Sequence, residues 1–391
     1  MIKEYIKGLI DTGLCSTTSE VLSHFKDIGI DSNVYEKYVQ LKYNTIFCSW
    51  KTPLPFHCRG VILDISDISN PQYVATPFTK FFNFGETLSK YKTFEDIQKF
   101  IAKGGKLTQK ADGTCIVLYY TFDHGWKVST LGTINPLNVN DNPITFSELF
   151  WKQFDLDLIK LRVGTTYIFE LCTELNQIVT KYDKRKIFFL SALKEWKYDS
   201  SAFEEISKEI RSGNTLIELP KVEDIPLEID TIDKFTSFVK EKFSKGLGKN
   251  PEGVVGTLNG IPQFKWKFPE YLTLHKTMTG DEKYVRKSLI HHLFNGTLDD
   301  LVSELTDAQK EFIESVKTEI KNINDYYMMS LNSIYFEGMT QKEFALSINK
   351  FKGKYPFDGY MFIWFKEKVS FYDFLVKGNL YEKNMNFFKA L

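Results

Sequence analysis

Lys110-Ala111-Asp112-Gly113-Thr114 stands directly ahead of a β-branched and aromatic run at residues 115–120. The run reads in two ways. Asp-Gly favours a tight turn, and a surface lysine at the edge of a strand needs no further purpose. A chain of this length contains K-x-D-G by chance in about one case in ten. The same residues also suit an amine held at a strand end as a nucleophile. That second reading requires partners, because an amine with a reference pKa of about 10.4 must shed its proton. Neighbouring cations and a dry pocket would lower that value by disfavouring the charged form.

The partners are sought outward from Lys110. In Phe264-Lys265-Trp266-Lys267 a strand's alternation sets both lysines on one face and both aromatic rings on the other. Two ammonium groups on one face suit a phosphate; a half-exposed strand with solvated lysines is the plainer alternative. Asn250-Pro251-Glu252-Gly253-Val254-Val255 reads as a turn and then a buried strand, with Glu252 at its mouth. A carboxylate there suits a magnesium ion bridging phosphate oxygens, or is an ordinary turn glutamate. In Tyr167-Ile168-Phe169-Glu170-Leu171, alternation puts Glu170 with Ile168, opposite Phe169 and Leu171. If that strand is buried, the carboxylate needs a hydroxyl, metal or lysine partner; on an edge strand it would simply face water. Upstream, Cys58-Arg59-Gly60 and Thr76-Pro77-Phe78-Thr79-Lys80-Phe81-Phe82-Asn83 offer Arg59 and Lys80 as further phosphate donors.

Composition sets the limits. The 391 residues suffice for two domains, and 43% hydrophobic with 26% charged residues describes a folded globular chain. Fifty basic and fifty acidic residues cancel, so any anionic partner must be held by a local basic cluster. Cys15, Cys48, Cys58, Cys115 and Cys172 are odd in number and scattered, which argues against a disulfide framework or zinc site and for a reducing cytoplasm. No apolar stretch approaches the roughly 20 residues of a membrane helix, and no signal-peptide core opens the chain.

Short strand patterns occur at residues 61–64, 115–120, 167–171 and 263–268, and helical spacing at 93–103, 145–160, 201–211 and 232–245. Beyond residue 281 long amphipathic stretches replace the strands. The expected organisation is an α+β body over residues 1–276, with antiparallel sheets and flanking helices, followed by a mostly helical domain over 277–391.

Taken in order, these blocks resemble the covalent nucleotidyltransferase superfamily of polynucleotide ligases and mRNA-capping enzymes, whose fold is ATP-grasp-like. K-x-D-G, I-F-E-L, P-E-G-V-V and F-K-W-K match its motifs I, III, IV and V. The C-R-G block, K-F-F-N-x-x-E, T-x-L-N-Q-I-V from Thr173 and Leu274-His275-Lys276 are similar to the bacteriophage-type RNA ligase 1 branch. The resemblance runs from about Tyr43 to Leu301. It implies that Lys110 becomes the lysyl-AMP, that Tyr43, Arg59, Lys80, Glu170, Lys265 and Lys267 contact ATP, and that Glu252 and Asp299 serve the metal. Asp299, in Gly296-Thr297-Leu298-Asp299-Asp300, also reads as part of a helix cap and first turn.

The implied activity is ATP- and Mg2+-dependent joining of 5′-phosphate and 3′-hydroxyl RNA ends through lysyl-AMP and RNA-adenylate. The expected substrate is single-stranded RNA or a nicked tRNA anticodon loop, handled by a monomer in the cytoplasm, the host's if the source is viral. The helical C-terminal domain would be the RNA- or tRNA-binding part. An mRNA-capping guanylyltransferase or DNA ligase shares the motifs but should carry a C-terminal OB-fold. A non-catalytic RNA-end-binding protein is a further alternative. One position departs from the family: Thr130-Leu131-Gly132-Thr133 has Leu131 where a basic residue is usual, so Lys127 or another cation substitutes or the contact is absent.

Overall fold

Alternating apolar residues build three antiparallel-rich sheets, and helices cover the faces that the alternation makes apolar. The computed structural model describes residues 1–391 except 136–137, 140–141, 156–158, 178–179, 183, 214, 245–250, 269–270, 272–285, 295, 297, 299–304, 306 and 378.

Helices α1 (Ile2–Asp11) and α2 (Thr18–Asp27) lead into β1 (Ile30–Tyr35), β2 (Tyr38–Tyr43), the short α3 (Leu54–His57), β3 (Arg59–Asp64) and β4 (Gln72–Ala75). These four strands form one antiparallel sheet in sequence order. Val39, Leu41, Val61 and Leu63 bury against Ile2, Ile6, Val21 and Phe25 of the helices, whereas Ile62 points the other way.

Next come β5 (Phe82–Asn83), α4 (Phe94–Ala102), β6 (Lys106–Lys110), β7 (Thr114–Thr121), β8 (Gly125–Thr130), α5 (Phe146–Trp151) and β9 (Thr166–Cys172). They are followed by β10 (Lys186–Lys194), β11 (Lys197–Tyr198), α6 (Ser200–Arg211), β12 (Ile217–Glu218), β13 (Val222–Asp224), α7 (Ile232–Phe243), β14 (Gly253–Leu258) and β15 (Ile261–Lys267). A second sheet runs β11-β10-β9-β7-β8, with β12 added to β10, and a third runs β13-β6-β14-β15-β5. In the second, Ile116, Leu118, Phe169 and Leu171 pack on α5 and α6, while Val117 and Ile168 face the first sheet. In the third, Leu107, Val254 and Phe264 pack on α4 and α7. Helix α5 stops at Trp151, well short of the spacing expected to residue 160. Phe154 and Ile159 are buried all the same, so the apolar spacing there reports contact with the core and not continued helix.

The chain divides into two compact units: residues 1–44 with 48–278, and residues 45–47 with 279–391. Among the described residues the second unit is helical. It comprises α8 (Arg286–Phe294), α9 (Asp307–Ile334), α10 (Gln341–Ser347), α11 (Gly359–Glu367), α12 (Phe371–Val376), α13 (Leu380–Lys383) and α14 (Met385–Lys389), around a core of Val316, Ile320, Tyr327, Phe344, Tyr360 and Phe371. No strand, and hence no OB-fold, occurs among its described residues. No helix among the described residues is long and apolar enough to cross a membrane.

Two glycines make the junction of the sheets possible. A Cβ on Gly113 would stand 2.3 Å from the Leu171 carbonyl oxygen and 2.7 Å from Cys172 Sγ, so β9 approaches this turn as closely as bare backbone allows. Gly253 has φ +151°, and a Cβ there would meet the Trp266 carbonyl oxygen at 2.1 Å. Gly113→Ala should therefore lower stability by roughly 1–3 kcal/mol through overpacking, read as a lower denaturant midpoint at unchanged slope. An unaltered midpoint would show that β9 yields without cost.

Candidate active site

Cross-strand register brings the charges together. Gly253 on β14 pairs with Lys110 on β6 at one side and with Lys267 on β15 at the other. Directly paired residues point to the same face, and neighbouring strands lie about 4.8 Å apart, so the two lysines flank the glycine within reach of one small anion. Glu252, one residue before β14, is that anion. Its Oε2 accepts from Lys110 Nζ at 2.5 Å, and its Oε1 lies 3.4 Å from Lys267 Nζ. The carboxylate is 4% exposed and Lys267 6%, whereas Lys110 keeps 22% of its side chain open. Lys265 shares the face, one row further along with Thr108 and Val255, while Trp266 and Phe264 turn into the α4–α7 core.

The turn after Lys110 is held from several sides. Glu170, opposite Cys115 on β9, accepts from the Gly113 N–H at 3.2 Å. Asp112 is 3% exposed, and its carboxylate accepts from the Thr180 N–H at 2.8 Å and from the Tyr271 hydroxyl at 3.0 Å. The Asp112 N–H donates to the Tyr182 hydroxyl at 2.8 Å. Asn176 donates to Thr114 Oγ1 and to the Leu171 carbonyl oxygen, which ties the loop after β9 to the start of β7. Thr180, Tyr182, Tyr271 and Asn176 escape a reading of the sequence for charged groups. The T-x-L-N-Q-I-V run contains Asn176 and leads directly to Thr180 and Tyr182, but nothing in the sequence singled out Tyr271.

Electrostatics here differ from the expectation that cations would lower the Lys110 pKa. Burial disfavours the ammonium, yet the carboxylates of Glu252, Glu170 and Asp112 outweigh it and hold Lys110 above its ordinary value. Without nucleotide the amine is protonated and tied to Glu252. Burial pushes Glu170 up to about 7, reinforced by Glu252 and Asp112 and opposed by Lys110 and the Gly113 N–H. Burial likewise pushes the Cys115 thiol up to about 12, with Glu170 adding and Arg59 and Lys110 subtracting.

Arg59 and Lys110 thus both act electrostatically on Cys115. Arg59 lies 5.5 Å from the centre of the Phe81 ring. Tyr43 and Lys80 meet each other, with Lys80 Nζ 5.5 Å from the Tyr43 ring and 5.4 Å from Phe82 on β5. Asp299 and the Leu274-His275-Lys276 block lie outside the described residues. The Leu131 backbone presses on Gly60, where a Cβ would stand 2.9 Å from the Leu131 Cα. Lys127 turns to the Tyr35 ring, whereas Lys42, cross-strand neighbour of Arg59, brings its Nζ to 3.9 Å from a Cβ built on Gly132. Lys42 is therefore the cation beside the Leu131 loop. Among the described residues no group of three His, Cys, Asp or Glu is arranged to hold a metal by itself.

A lysine amine, a buried carboxylate and two further lysines thus share one face of the third sheet, a charge pattern suited to a phosphate. A protein-family model described as RNA ligase matches residues 57–272. The RNA ligase of Rhodothermus phage RM378 is 27% identical over 357 residues, spanning 76% of this chain and 79% of that protein. Among solved structures, an archaeal ATP-dependent RNA ligase covers 79% of this chain and 77% of its own, at 11% identity and a TM-score of 0.46. An RNA ligase from Naegleria gruberi covers 55% of this chain and 67% of its own, at 15% identity and a TM-score of 0.36. The family match spans more than half of the chain, which belongs to the bacteriophage-type RNA ligase 1 family. It is an RNA ligase with that family's ATP-binding nucleotidyltransferase body.

The raised Glu170 pKa carries a stability cost with a definite sign. A folded pKa near 7 against 4.5 for the free side chain penalises the folded state above pH 7 and not below pH 4.5. Glu170→Gln should raise Tm at pH 8 by the equivalent of about 2–3 kcal/mol, and the gain should shrink toward pH 5. Equal gains at both pH values would show that Glu170 is not the titrating group.

Proposed function

We propose that Lys110 is the residue that takes AMP from ATP in an RNA-joining reaction. The observation that carries this reading is the Lys110–Glu252–Lys267 cluster, in which an amine, its proton acceptor and a phosphate-sized cation share one cleft. The Lys110 ammonium first passes a proton through Glu252 to solvent. The neutral amine attacks the α-phosphorus, a bond forms from Nζ to phosphorus, pyrophosphate leaves with the electron pair of the broken P–O bond, and a second Nζ proton is lost to solvent. Lys265 and Lys267 stabilise the charge that develops on the phosphate oxygens. Tyr43, Arg59, Lys80 and Glu170 complete the nucleotide contacts. AMP then passes to a 5′-phosphate RNA end as a 5′-5′ linkage, and a 3′-hydroxyl attacks that end and expels AMP.

Because the amine begins protonated against Glu252, that carboxylate must release it before attack. The oxygens of Glu252 are hard donors of the kind magnesium takes, and magnesium needs only one or two carboxylates beside phosphate oxygens and water. Held by Glu252, magnesium would supply positive charge that neutralises the negative charge developing on the phosphate. Asp299 is proposed as its second protein partner on the family resemblance.

For RNA we propose single-stranded ends, including those of a nicked tRNA anticodon loop, joined by a monomer in the cytoplasm, the host's if the source is viral. The second unit supports such a role through its own surface. Lys350, Lys352, Lys354, Lys366 and Lys368 are exposed, with Phe351, Tyr355, Phe362, Trp364 and Phe365 half-exposed between them. Lys354 stands 4.2 Å from the Tyr326 ring centre, and Lys368 stands 3.7 Å from that of Tyr335 and 3.8 Å from that of Trp364. Lysines among aromatic rings suit a backbone of phosphates with stacked bases.

Two measurements test these readings. Incubation with α-labelled ATP and magnesium should label the protein, Lys110→Ala should abolish the label, and Lys267→Ala should reduce its rate about 100-fold or more. Label persisting on Lys110→Ala would remove this residue as the nucleophile. Replacing Lys352, Lys354 and Lys368 by Glu should weaken RNA binding and flatten its salt dependence by about 0.7 in log–log slope for each lost phosphate contact. An unchanged slope would mean that RNA runs elsewhere.

A further inference from the structure

Of the four residues in Lys110-Ala111-Asp112-Gly113, only the lysine side chain is left partly open. Ala111 is 6% exposed and packs with Cys172, Phe188 and Tyr182. Asp112 is 3% exposed, and Gly113 is pressed against the Leu171 carbonyl oxygen and Cys172. Burying the carboxylate of Asp112 is costly unless its lone pairs are used. One oxygen is taken by the Thr180 N–H at 2.8 Å and the other by the Tyr271 hydroxyl at 3.0 Å. The backbone N–H of Asp112 is received by the Tyr182 hydroxyl at 2.8 Å, and Tyr182 also hydrogen-bonds Cys172.

The two tyrosines reach the turn from opposite sides. Tyr182 comes from the loop that follows β9 in the second sheet, and Tyr271 comes just after β15 in the third. Tyr271 is 3% exposed, packs in the α4–α7 core, and places its ring 5.8 Å from Lys267 Nζ. It therefore touches both the turn that presents Lys110 and the lysine on the other side of Glu252. Neither tyrosine is charged, and neither forms part of the lysine–carboxylate cluster. The Tyr182 hydroxyl instead holds the Asp112 backbone N–H and the Tyr271 hydroxyl holds the Asp112 carboxylate, both at the residue two positions beyond Lys110.

On the reading that Lys110 is the nucleophile, we propose that Tyr271 and Tyr182 are positioning residues that clamp Asp112 from the two sheets and so set the direction in which Lys110 meets the α-phosphorus. The clamp acts on orientation. A bound nucleotide keeps its own contacts to lysines and arginine when a hydroxyl is lost, but the amine no longer lies in line with the leaving pyrophosphate. Misplacement on this scale penalises the chemical step more than binding. Asp112 also has a donor on each oxygen, while the Lys110 amine donates directly to Glu252.

The test is single-turnover transfer of label from α-labelled ATP in the presence of magnesium, measured across ATP concentrations for the full chain. Tyr271→Phe keeps the ring beside Lys267 and removes only the hydroxyl, and Tyr182→Phe does the same on the other side. Each variant should lose about 10-fold or more in the limiting rate of labelling, with half-saturating ATP within about two-fold of wild type. Thermal midpoints are recorded alongside, and rates are read well below them. Wild-type limiting rates in both variants would overturn the clamp, as would a rise in half-saturating ATP with an unchanged limiting rate. Lys110→Ala, run in parallel, separates the two claims: label persisting there removes the nucleophile, whereas wild-type rates in the tyrosine variants remove the clamp alone.

Discussion

A buried carboxylate must be matched by positive charge, and the Glu252 carboxylate is 4% exposed. Its two lysines come from strands on either side of its own, 142 and 15 residues away in the chain. The match holds only while β6, β14 and β15 keep their register, because a slip of one residue would turn each lysine to the opposite face. It also needs Gly253, since a side chain there would collide with the β15 backbone. Ion pair, register and glycine are thus one constraint, and the α4–α7 core behind the sheet is what keeps it satisfied.

The proposed nucleophile is held charged by the same cluster. Lys110 is not poised as a free amine; three carboxylates keep it protonated, and the strongest of them holds it directly. Glu170 is held at the edge of ionisation by burial, which disfavours the folded state at neutral and higher pH. Three carboxylates around one lysine, one of them pushed toward neutrality by burial, cost stability, the pattern that functional sites share.

Much of this was legible in the order of residues. Period-two alternation separates Lys265 and Lys267 from Phe264 and Trp266, and Glu170 from Phe169 and Leu171, because a strand's side chains have no other choice. The change to long amphipathic stretches beyond residue 281 likewise announces helices, and α9 runs 28 residues. Helix α5 was overextended because the apolar residues that follow it serve the core from non-helical chain. The direction of the Lys110 pKa was misjudged for a related reason. Its sign depends on which charges meet at one point, and cations counted along a strand say nothing about carboxylates arriving from two other strands.

By itself, then, the amino-acid order determined which faces of which strands are apolar, where Lys110 sits relative to its strand, and which family the chain belongs to. These follow from local periodicity and from motifs whose residues are contiguous. Only the tertiary structure decided the balance of charge at Lys110, the approach of Lys42 to the Leu131 loop, and the two tyrosine hydroxyls that hold Asp112. Each of these depends on distance between segments far apart in the chain. Hydrogen bonds need contact within a few ångströms and Coulomb forces weaken steadily with distance, so both respond to the register of strands and to the absence of a Cβ at Gly113 and Gly253.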